Sequence, residues 1–405
     1  SIRRQRQMCI RDSPPMALRE IVKCAFFTPA PEGFWGLNLF VQGPPGAAKT
    51  SIIAGLARSC GLAYERLSPA ERGEGQFGVV PVPGVDGYLH YPAPAWAQRF
   101  GAGGVLFLDE INTASPALQA PLLGLTQLRT LGAHQFGPRT RVIAAANETA
   151  DAAGGWDLAP AIANRFCHIA FEGVPAQAWA DALLTGFGRD AAPAANEAPE
   201  TAEACEARVT AAWPEAIAIA RGLVAAFIVR RIDLLHVQPK AHDPGAARAW
   251  PSRRTWEYVT HALAGARIHD LSPDDTHTLI AGFVGDAAAV EFAVWRLAVD
   301  LPDPAALLDG RIKWQHTNAR LDRTLAVLQS CTALVLPPTA VHRNDRAAAL
   351  WRLIALVAQD APDMTLSAAS ALAGRGVGLA ALPAAIAAMH KLHPLVAAAG
   401  FTGGR

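Results

Sequence analysis

The chain has 405 residues, of which 51% are hydrophobic and 18% are charged, and its formal net charge is +1. This length and composition indicate two or three globular domains with a sizeable core. The near-zero charge offers no field that would attract nucleic acid or an anionic membrane, so we expect neither as a partner. The six cysteines show no CxxC pair, and no apolar run reaches membrane-spanning length without a charge or a proline. We therefore expect a soluble, cytoplasmic protein with free thiols.

The first thirteen residues, SIRRQRQMCIRDS, are basic and show no periodicity. Their second half resembles a translated transposon end. We interpret residues 1–13 as an artefactual or disordered segment and leave them out of the fold prediction.

The glycine-rich stretch GPPGAAKT at residues 43–50 follows the apolar run 37–41 and precedes residues 51–57, whose apolar positions have helical spacing. Strand, tight loop and helix in this order are typical of a phosphate-binding loop. Backbone N–H groups and the helix N-terminus would hold the anion. Lys49 would reach the β- and γ-phosphates, and the Thr50 hydroxyl would ligate Mg²⁺.

One residue of this loop departs from the usual pattern, because Ala48 stands where a glycine commonly precedes the lysine. The alternative interpretation is an ordinary strand-to-helix turn. The expected nucleotide-binding residues are Gly43, Pro44, Pro45, Gly46, Ala47, Ala48, Lys49, Thr50 and Ser51.

Two acids follow a second buried strand. Residues 63–67 predict one strand, and a Gly/Pro-rich insertion at 68–104 contains a predicted hairpin. The four apolar residues 105–108, which follow two glycines, predict another strand. Parallel sheets bind ligands at the carboxyl edge, so Asp109 is expected to hold Mg²⁺ opposite Thr50 and Glu110 to activate water. A solvated turn is the alternative for an isolated Asp-Glu pair.

Two further polar residues flank the remaining predicted strands. Strand 141–146 ends in Asn147, which could bind the same water and the γ-phosphate or could simply be a turn residue. Arg165 lies just before strand 167–171, either as a solvated charge or as a group that reaches the nucleotide of a neighbouring subunit.

Helical patterns dominate the rest of the chain. Helices are expected at 115–128, 252–268, 283–299, 321–335 and 347–358, and in an amphipathic tail at 368–400. The predicted organisation is an α/β nucleotide-binding core at 14–171, a helical lid at 172–270 and a helical C-terminal extension at 271–405.

With these motifs in order, the chain resembles the AAA+ ATPases, and within them the MoxR-like group. GPPGAAKT is similar to the Walker A loop and VLFLDEIN to Walker B. Asn147 falls on the sensor 1 position and Arg165 on the arginine finger. Arg254 matches sensor 2, with Arg253 as the register alternative. Thr113 departs from the group, which usually has arginine there.

The resemblance implies an AAA+ P-loop core with a parallel sheet, ATP and Mg²⁺ as cofactors, and a homo-oligomeric ring, expected to be a hexamer. It assigns metal ligation to Thr50 and Asp109 and catalytic roles to Glu110, Asn147, Arg165 and Arg254. Arg254 is expected to offset the phosphate charge together with Lys49, and Arg165 to act from the next protomer. It also implies chaperone-like remodelling of a protein client, with a von Willebrand A-domain protein as partner. The insertion that carries Phe77, Tyr88 and Tyr91 is a candidate client contact, and the alternative is an aromatic cluster that packs the hairpin against the core. A nucleic-acid motor and an ATP-gated scaffold with negligible hydrolysis are the alternatives.

Overall fold

The computed structural model describes residues 15–69, 71, 77, 80–101, 103–147, 155–184, 200–240 and 243–377. The segment predicted to be artefactual or disordered, and the tail beyond residue 377, lie outside the described residues. The strands are β1 (Leu39–Gln42), β2 (Tyr64–Leu67), β3 (Val82–Pro83), β4 (Leu89–His90), β5 (Gly103–Leu108), β6 (Thr130–Leu131), β7 (His134–Gln135), β8 (Arg139–Ala146) and β9 (Cys167–Ala170).

Helices flank and follow these strands. They are α1 (Pro15–Phe26), α2 (Lys49–Ser59), α3 (Ala95–Phe100), α4 (Pro116–Leu128), α5 (Pro160–Ala163), α6 (Ala176–Leu184), α7 (Ala202–Arg230), α8 (Arg253–Ile268), α9 (Pro273–Val284), α10 (Asp286–Val299), α11 (Pro304–Leu308), α12 (Leu321–Val335), α13 (Arg343–Val357) and α14 (Leu366–Ala373).

A five-stranded parallel sheet forms the centre of the first part of the chain, in the order β2-β5-β8-β1-β9. The inner strands β5 and β8 are almost entirely buried, which explains the apolar runs 105–108 and 142–146 within them. Because all five strands run the same way, the residues that follow β1, β5 and β8 lie at one edge. Residues that precede β9 lie at the other edge. This common strand direction decides which of the predicted site residues can lie close together.

The insertion between β2 and β5 contributes to the core at its ends and exposes its middle. Phe77 and Trp96 are fully buried and belong to the sheet's hydrophobic core. The hairpin of β3 and β4 exposes Tyr88 to 73% and Tyr91 to 49%. The three aromatic residues therefore do not form one exposed cluster.

The described residues divide into two compact units. The first comprises the chain up to Val209 together with His236–Ala287, and it holds the sheet, α8 and α9. Helix α9 packs closely on β9, because a Cβ at Gly282 would lie 2.5 Å from Cys167 Sγ and 2.8 Å from His168 O. The prediction that helices dominate after residue 172 is confirmed. Helix α9 lies in the same compact unit as the sheet.

The second unit comprises Thr210–Leu235 and the described residues from Ala288 onward, and it is helical. Trp351 is fully buried in its core. Arg346 pairs with Asp309 at 2.8 Å and with Glu215 at 3.3 Å. The helix predicted from residue 283 instead begins at Asp286, because Gly285 adopts φ +79° and ends α9.

The 29-residue α7 is long and apolar enough to cross a membrane by length and composition alone. Its most apolar 18-residue window has a mean hydropathy of 1.6, and 44% of that window is buried inside the protein. The helix carries Pro214, and near its start Glu206 accepts a 2.5 Å hydrogen bond from Arg141 of β8. Packed core helices of soluble proteins have the same composition.

Candidate functional site

The loop between β1 and α2 requires glycine at two positions. A Cβ at Gly43 would lie 1.9 Å from Phe171 O, and Gly46 has φ +78°. Ala48 has φ 71° and ψ 19°, the left-handed conformation, immediately before the helix. This backbone is the reason for the glycine usually found there, since an L residue pays about 1–2 kcal/mol in this region.

Lys49 is 93% buried at the first turn of α2, with 7% of its surface exposed. Its ammonium group donates to Gly43 O at 2.7 Å, Pro44 O at 2.9 Å and Asn147 Oδ1 at 3.0 Å. Burial lowers the pKa of Lys49, and the nearby Asp109 and Glu110 oppose that shift. The loop and the end of β8 thus converge on one cation.

Asp109 lies at the end of β5, and its Oδ2 atom accepts two hydrogen bonds. Thr50 Oγ1 donates at 3.1 Å and Arg66 Nε at 2.7 Å. Arg66, at the end of β2, also forms a bidentate pair with Glu71 at 2.8 Å for both contacts. Thr50 and Asp109 thus lie close together, as predicted, and the Arg66 guanidinium donates to the same carboxylate oxygen.

Glu110 adopts φ 52° and ψ 44°, a second left-handed, non-glycine backbone at this sheet edge. Its carbonyl oxygen accepts from the Thr113 hydroxyl and the Thr113 N–H, both at 2.8 Å. Asn112 Nδ2 lies 3.5 Å from Asn147 O. Strained backbone conformations are commonly retained where a side chain must be held for a task.

These residues fit a magnesium–nucleotide complex. The buried ammonium of Lys49 is held by carbonyl oxygens of the loop, and the Thr50 hydroxyl and Asp109 carboxylate are the hard oxygen ligands that Mg²⁺ prefers. Among the described residues, no group of three or more His, Cys, Asp or Glu side chains could hold a metal ion. A metal at this edge would therefore take its remaining ligands from phosphate and water.

Arg165 lies at the opposite edge of the sheet. It precedes β9, and Asn38, which precedes β1, donates to its carbonyl oxygen at 3.3 Å. The four residues of β1 span roughly 13 Å at about 3.3 Å per residue, which separates this edge from the loop. Arg165 donates from Nη2 to Gln127 Oε1 at 2.6 Å and from Nη1 to Ala161 O. It is 7% exposed, and burial followed by the charge of Arg254 lowers its pKa.

Arg254 lies near Arg165. The two side chains line one pocket, whereas Arg253 is exposed and does not line it. The helix that carries Arg254 is fixed here, because Ser252 caps it by accepting from Thr255 N at 3.1 Å and donates to Asn164 at 2.8 Å. The structure therefore brings Lys49, Thr50, Asp109 and Asn147 together at one edge, with Glu110 beside them. It places Arg165 and Arg254 together at the other.

Sequence reasoning missed several residues around these groups. Arg66 is 43 residues from Asp109 along the chain, and nothing in its local sequence marks the contact. Gln127, which holds Arg165, lies inside an ordinary amphipathic helix. Asn112, the asparagine of the DEIN motif, turns back into the core and is 7% exposed. Its place in that motif is the signal by which it could have been noticed.

The strand order and the loop geometry establish an α/β P-loop core followed by a helical C-terminal part. No protein-family model matches the sequence, and no curated protein matches it. Solved structures do match, among them a protein from Cytophaga hutchinsonii that is provisionally described as an ATPase. It is 13% identical, with 66% of this chain and 80% of that chain covered, and the TM-score is 0.43. At that level the likeness adds nothing to the geometry already described.

Proposed function

We propose that this chain is a Mg²⁺-dependent ATPase of the AAA+ type. The observation that carries the proposal is the 3.1 Å contact between the Thr50 hydroxyl and the Asp109 carboxylate, beside the buried Lys49. A hydroxyl, a carboxylate and an ammonium at the carboxyl edge of a parallel sheet form a site for a metal-bound polyphosphate. The resemblance of the motifs to the MoxR-like group supports the finer assignment.

Each residue of this edge has a role in the proposed reaction. Water attacks the γ-phosphorus of ATP, the new P–O bond forms as the bond to the β-phosphate oxygen breaks, and ADP leaves with the electron pair of that bond. A bound Mg²⁺, held by Thr50 and Asp109, would offset the charge of the phosphates. Lys49 exchanges its contacts with the loop carbonyls for phosphate oxygens. Glu110 accepts the proton of the attacking water, and Asn147 orients that water through its amide.

Arg165 would act on the nucleotide of a neighbouring copy. Its position at the edge opposite the loop supports this role, because the side chain cannot span the sheet to reach its own site. The same argument applies to Arg254, which lies beside it. We therefore propose a homo-oligomer, a ring by analogy with the group it resembles.

The work driven by hydrolysis is proposed to be remodelling of a protein client, together with a von Willebrand A-domain partner. This step rests on the resemblance. The hairpin of β3 and β4 supports a contact role, because Tyr88, Leu89 and Val85 are well exposed on it.

The replacement Glu110→Gln tests the proposed reaction. We expect ATP binding to persist and turnover to fall by about 10²–10⁴-fold, the range for loss of a positioned general base. Glu257→Gln, on the exposed side of α8, is the matched control and should leave turnover unchanged. Full activity in the Glu110 variant would remove this residue from the mechanism.

Mixing two inactive variants tests the shared site. Arg165→Ala should lower turnover by about 10³–10⁵-fold, as for arginine fingers in other phosphoryl-transfer enzymes. Mixed with Glu110→Gln protein, it should regain activity, because each variant supplies the residue that the other lacks. The mixture is assayed over a range of ratios, and absence of any gain would contradict an arginine shared between copies.

A further inference from the structure

Arg165 is buried, although its proposed role requires it to contact another copy of the chain. Only 7% of its surface is exposed, and its guanidinium group folds back onto its own chain. Nη2 donates to Gln127 Oε1 at 2.6 Å, and Nη1 donates to the carbonyl oxygen of Ala161. Both Nη atoms, which would contact a phosphate, are thus engaged inside the chain. The position in the structure therefore differs from the position that the proposed role needs.

The backbone on both sides of this contact is fixed by buried hydrogen bonds. Asn38 Nδ2 donates to Arg165 O at 3.3 Å and to Thr126 O at 3.0 Å. Arg129 donates from Nη2 to Asn38 Oδ1 at 2.9 Å and from Nη1 to Thr126 O at 2.7 Å. These bonds join the last turn of α4, which carries Gln127, to the backbone of Arg165. Release of the guanidinium group therefore needs only rotation of the Arg165 side chain.

The contacts that hold Arg165 are weaker than those of the other arginines that are buried in the described part of the chain. Arg129, Arg141 and Arg346 each donate from Nε and from both Nη atoms. Carboxylates also offset the charges of Arg141 and Arg346. In Arg165, Nε is buried without an acceptor among the described residues, and both acceptors of the Nη atoms are neutral. A buried charge without an opposite charge is costly, and the nearby Arg254 adds to that cost.

We propose that Gln127 holds Arg165 in a retracted position in the single copy, and that Arg165 leaves Gln127 when it engages the nucleotide of an adjoining copy. Gln127 is thereby a positioning residue. Its neutral amide accepts a hydrogen bond from the guanidinium group but does not neutralise its charge. The retraction concerns this chain alone, whereas the engagement rests on the proposed function.

Two replacements of Gln127 should act in opposite directions. Gln127→Leu removes the acceptor of Nη2, so the released position of Arg165 becomes more populated. Gln127→Glu offers a carboxylate to the same nitrogen atom, so the retracted position becomes more populated. We expect a shift of about tenfold in each direction, the change that accompanies the loss or gain of one strong hydrogen bond to a charged group.

The first experiment measures the retraction in nucleotide-free protein that is diluted until it sediments as a single copy. Phenylglyoxal modifies accessible guanidinium groups, and mass spectrometry of peptides gives the rate at each arginine. In the wild type, Arg165 should react at least tenfold more slowly than Arg253, which is exposed. Gln127→Leu should raise the rate at Arg165 about tenfold, and Gln127→Glu should lower it. The control is Gln135→Leu, because this glutamine binds Leu128 O at the end of the same helix.

The second experiment measures the engagement and needs no hydrolysis. Glu110→Gln chains loaded with ATP are mixed with Lys49→Ala chains, and the nucleotide-dependent association is measured by sedimentation. In the Lys49→Ala chains, Gln127→Leu should strengthen the association about tenfold and Gln127→Glu should weaken it, since the fraction of competent chains sets the apparent affinity. Neither replacement should change the association when the same chains also carry Arg165→Ala.

The two experiments separate the retraction from the proposed function. If Arg165 and Arg253 react equally fast in the wild type, the retraction is wrong. It is also wrong if both replacements of Gln127 shift the rate at Arg165 in the same direction while thermal unfolding stays at the wild-type temperature. If the rates follow the expected order but the association does not depend on residue 127, the retraction stands and the shared arginine of the proposed function is rejected.

Discussion

Replacing Ala48 by glycine is expected to stabilise the protein, which is unusual for a substitution at the start of a helix. The left-handed backbone of residue 48, φ 71° and ψ 19°, costs an alanine about 1–2 kcal/mol. Glycine removes that cost but loses about 0.4–1 kcal/mol more conformational entropy on folding. The difference between these two ranges runs from about 0 to 1.6 kcal/mol, so we expect the free energy of unfolding to rise by roughly 0.8 kcal/mol.

The same chemical change nearly two turns further along should have the opposite effect on stability. Ala54 lies inside α2 with helical backbone, so Ala54→Gly is expected to destabilise by about 0.5–1 kcal/mol. Urea unfolding of the nucleotide-free protein, followed by circular dichroism, measures both variants against wild type. If Ala48→Gly destabilises as much as Ala54→Gly, residue 48 does not adopt the left-handed conformation in solution and the reasoning fails.

Two more predictions concern charged groups at and near the site. Arg66→Met should raise the affinity of the ADP-bound protein for Mn²⁺ about tenfold, because a guanidinium no longer competes for Asp109 Oδ2. Paramagnetic resonance measures the free Mn²⁺, and a lower affinity would mean that Arg66 orients the carboxylate instead. Burial lowers the pKa of His168 to about 4 from 6.5, so the unfolded chain takes up the proton first. The free energy of unfolding should therefore fall as the pH drops from about 6.5 towards 4. His168→Gln should make this fall less steep in urea titrations. Part of the fall should remain in that variant, because burial likewise lowers the pKa of His269 to about 4.

The sheet and its polar edge could be predicted because both depend on local sequence. The expected strands 105–108 and 141–146 appear within β5 and β8, since buried parallel strands contain continuous apolar runs. The expected strand 63–67 appears as the half-buried β2. Parallel order then places the residues after each strand at one edge. For that reason Thr50 and Asp109 could be expected to lie close together, whereas the contact of Lys49 with Asn147 also depends on β8 lying between β5 and β1.

The remaining features depend on contacts distant in sequence or on backbone conformation. The left-handed Glu110 and the pairing of Arg66 with Asp109 leave no periodic signal. The proximity of Arg254 to Arg165 arises because Ser252 bonds to Asn164 across 88 residues, which no local pattern encodes. Whether either arginine reaches a nucleotide stays a prediction.

The parallel direction of β1 and β9 has a consequence for assembly. It puts the loop of Lys49 and the side chain of Arg165 at opposite ends of the same strands. If the proposed shared site exists, each copy would therefore supply an arginine at one end and bind nucleotide at the other. A two-fold dimer would complete both sites only if its two copies lay antiparallel, so that each loop met the arginine of the other copy. An open head-to-tail row of copies leaves one site without its arginine, whereas a closed ring completes every site.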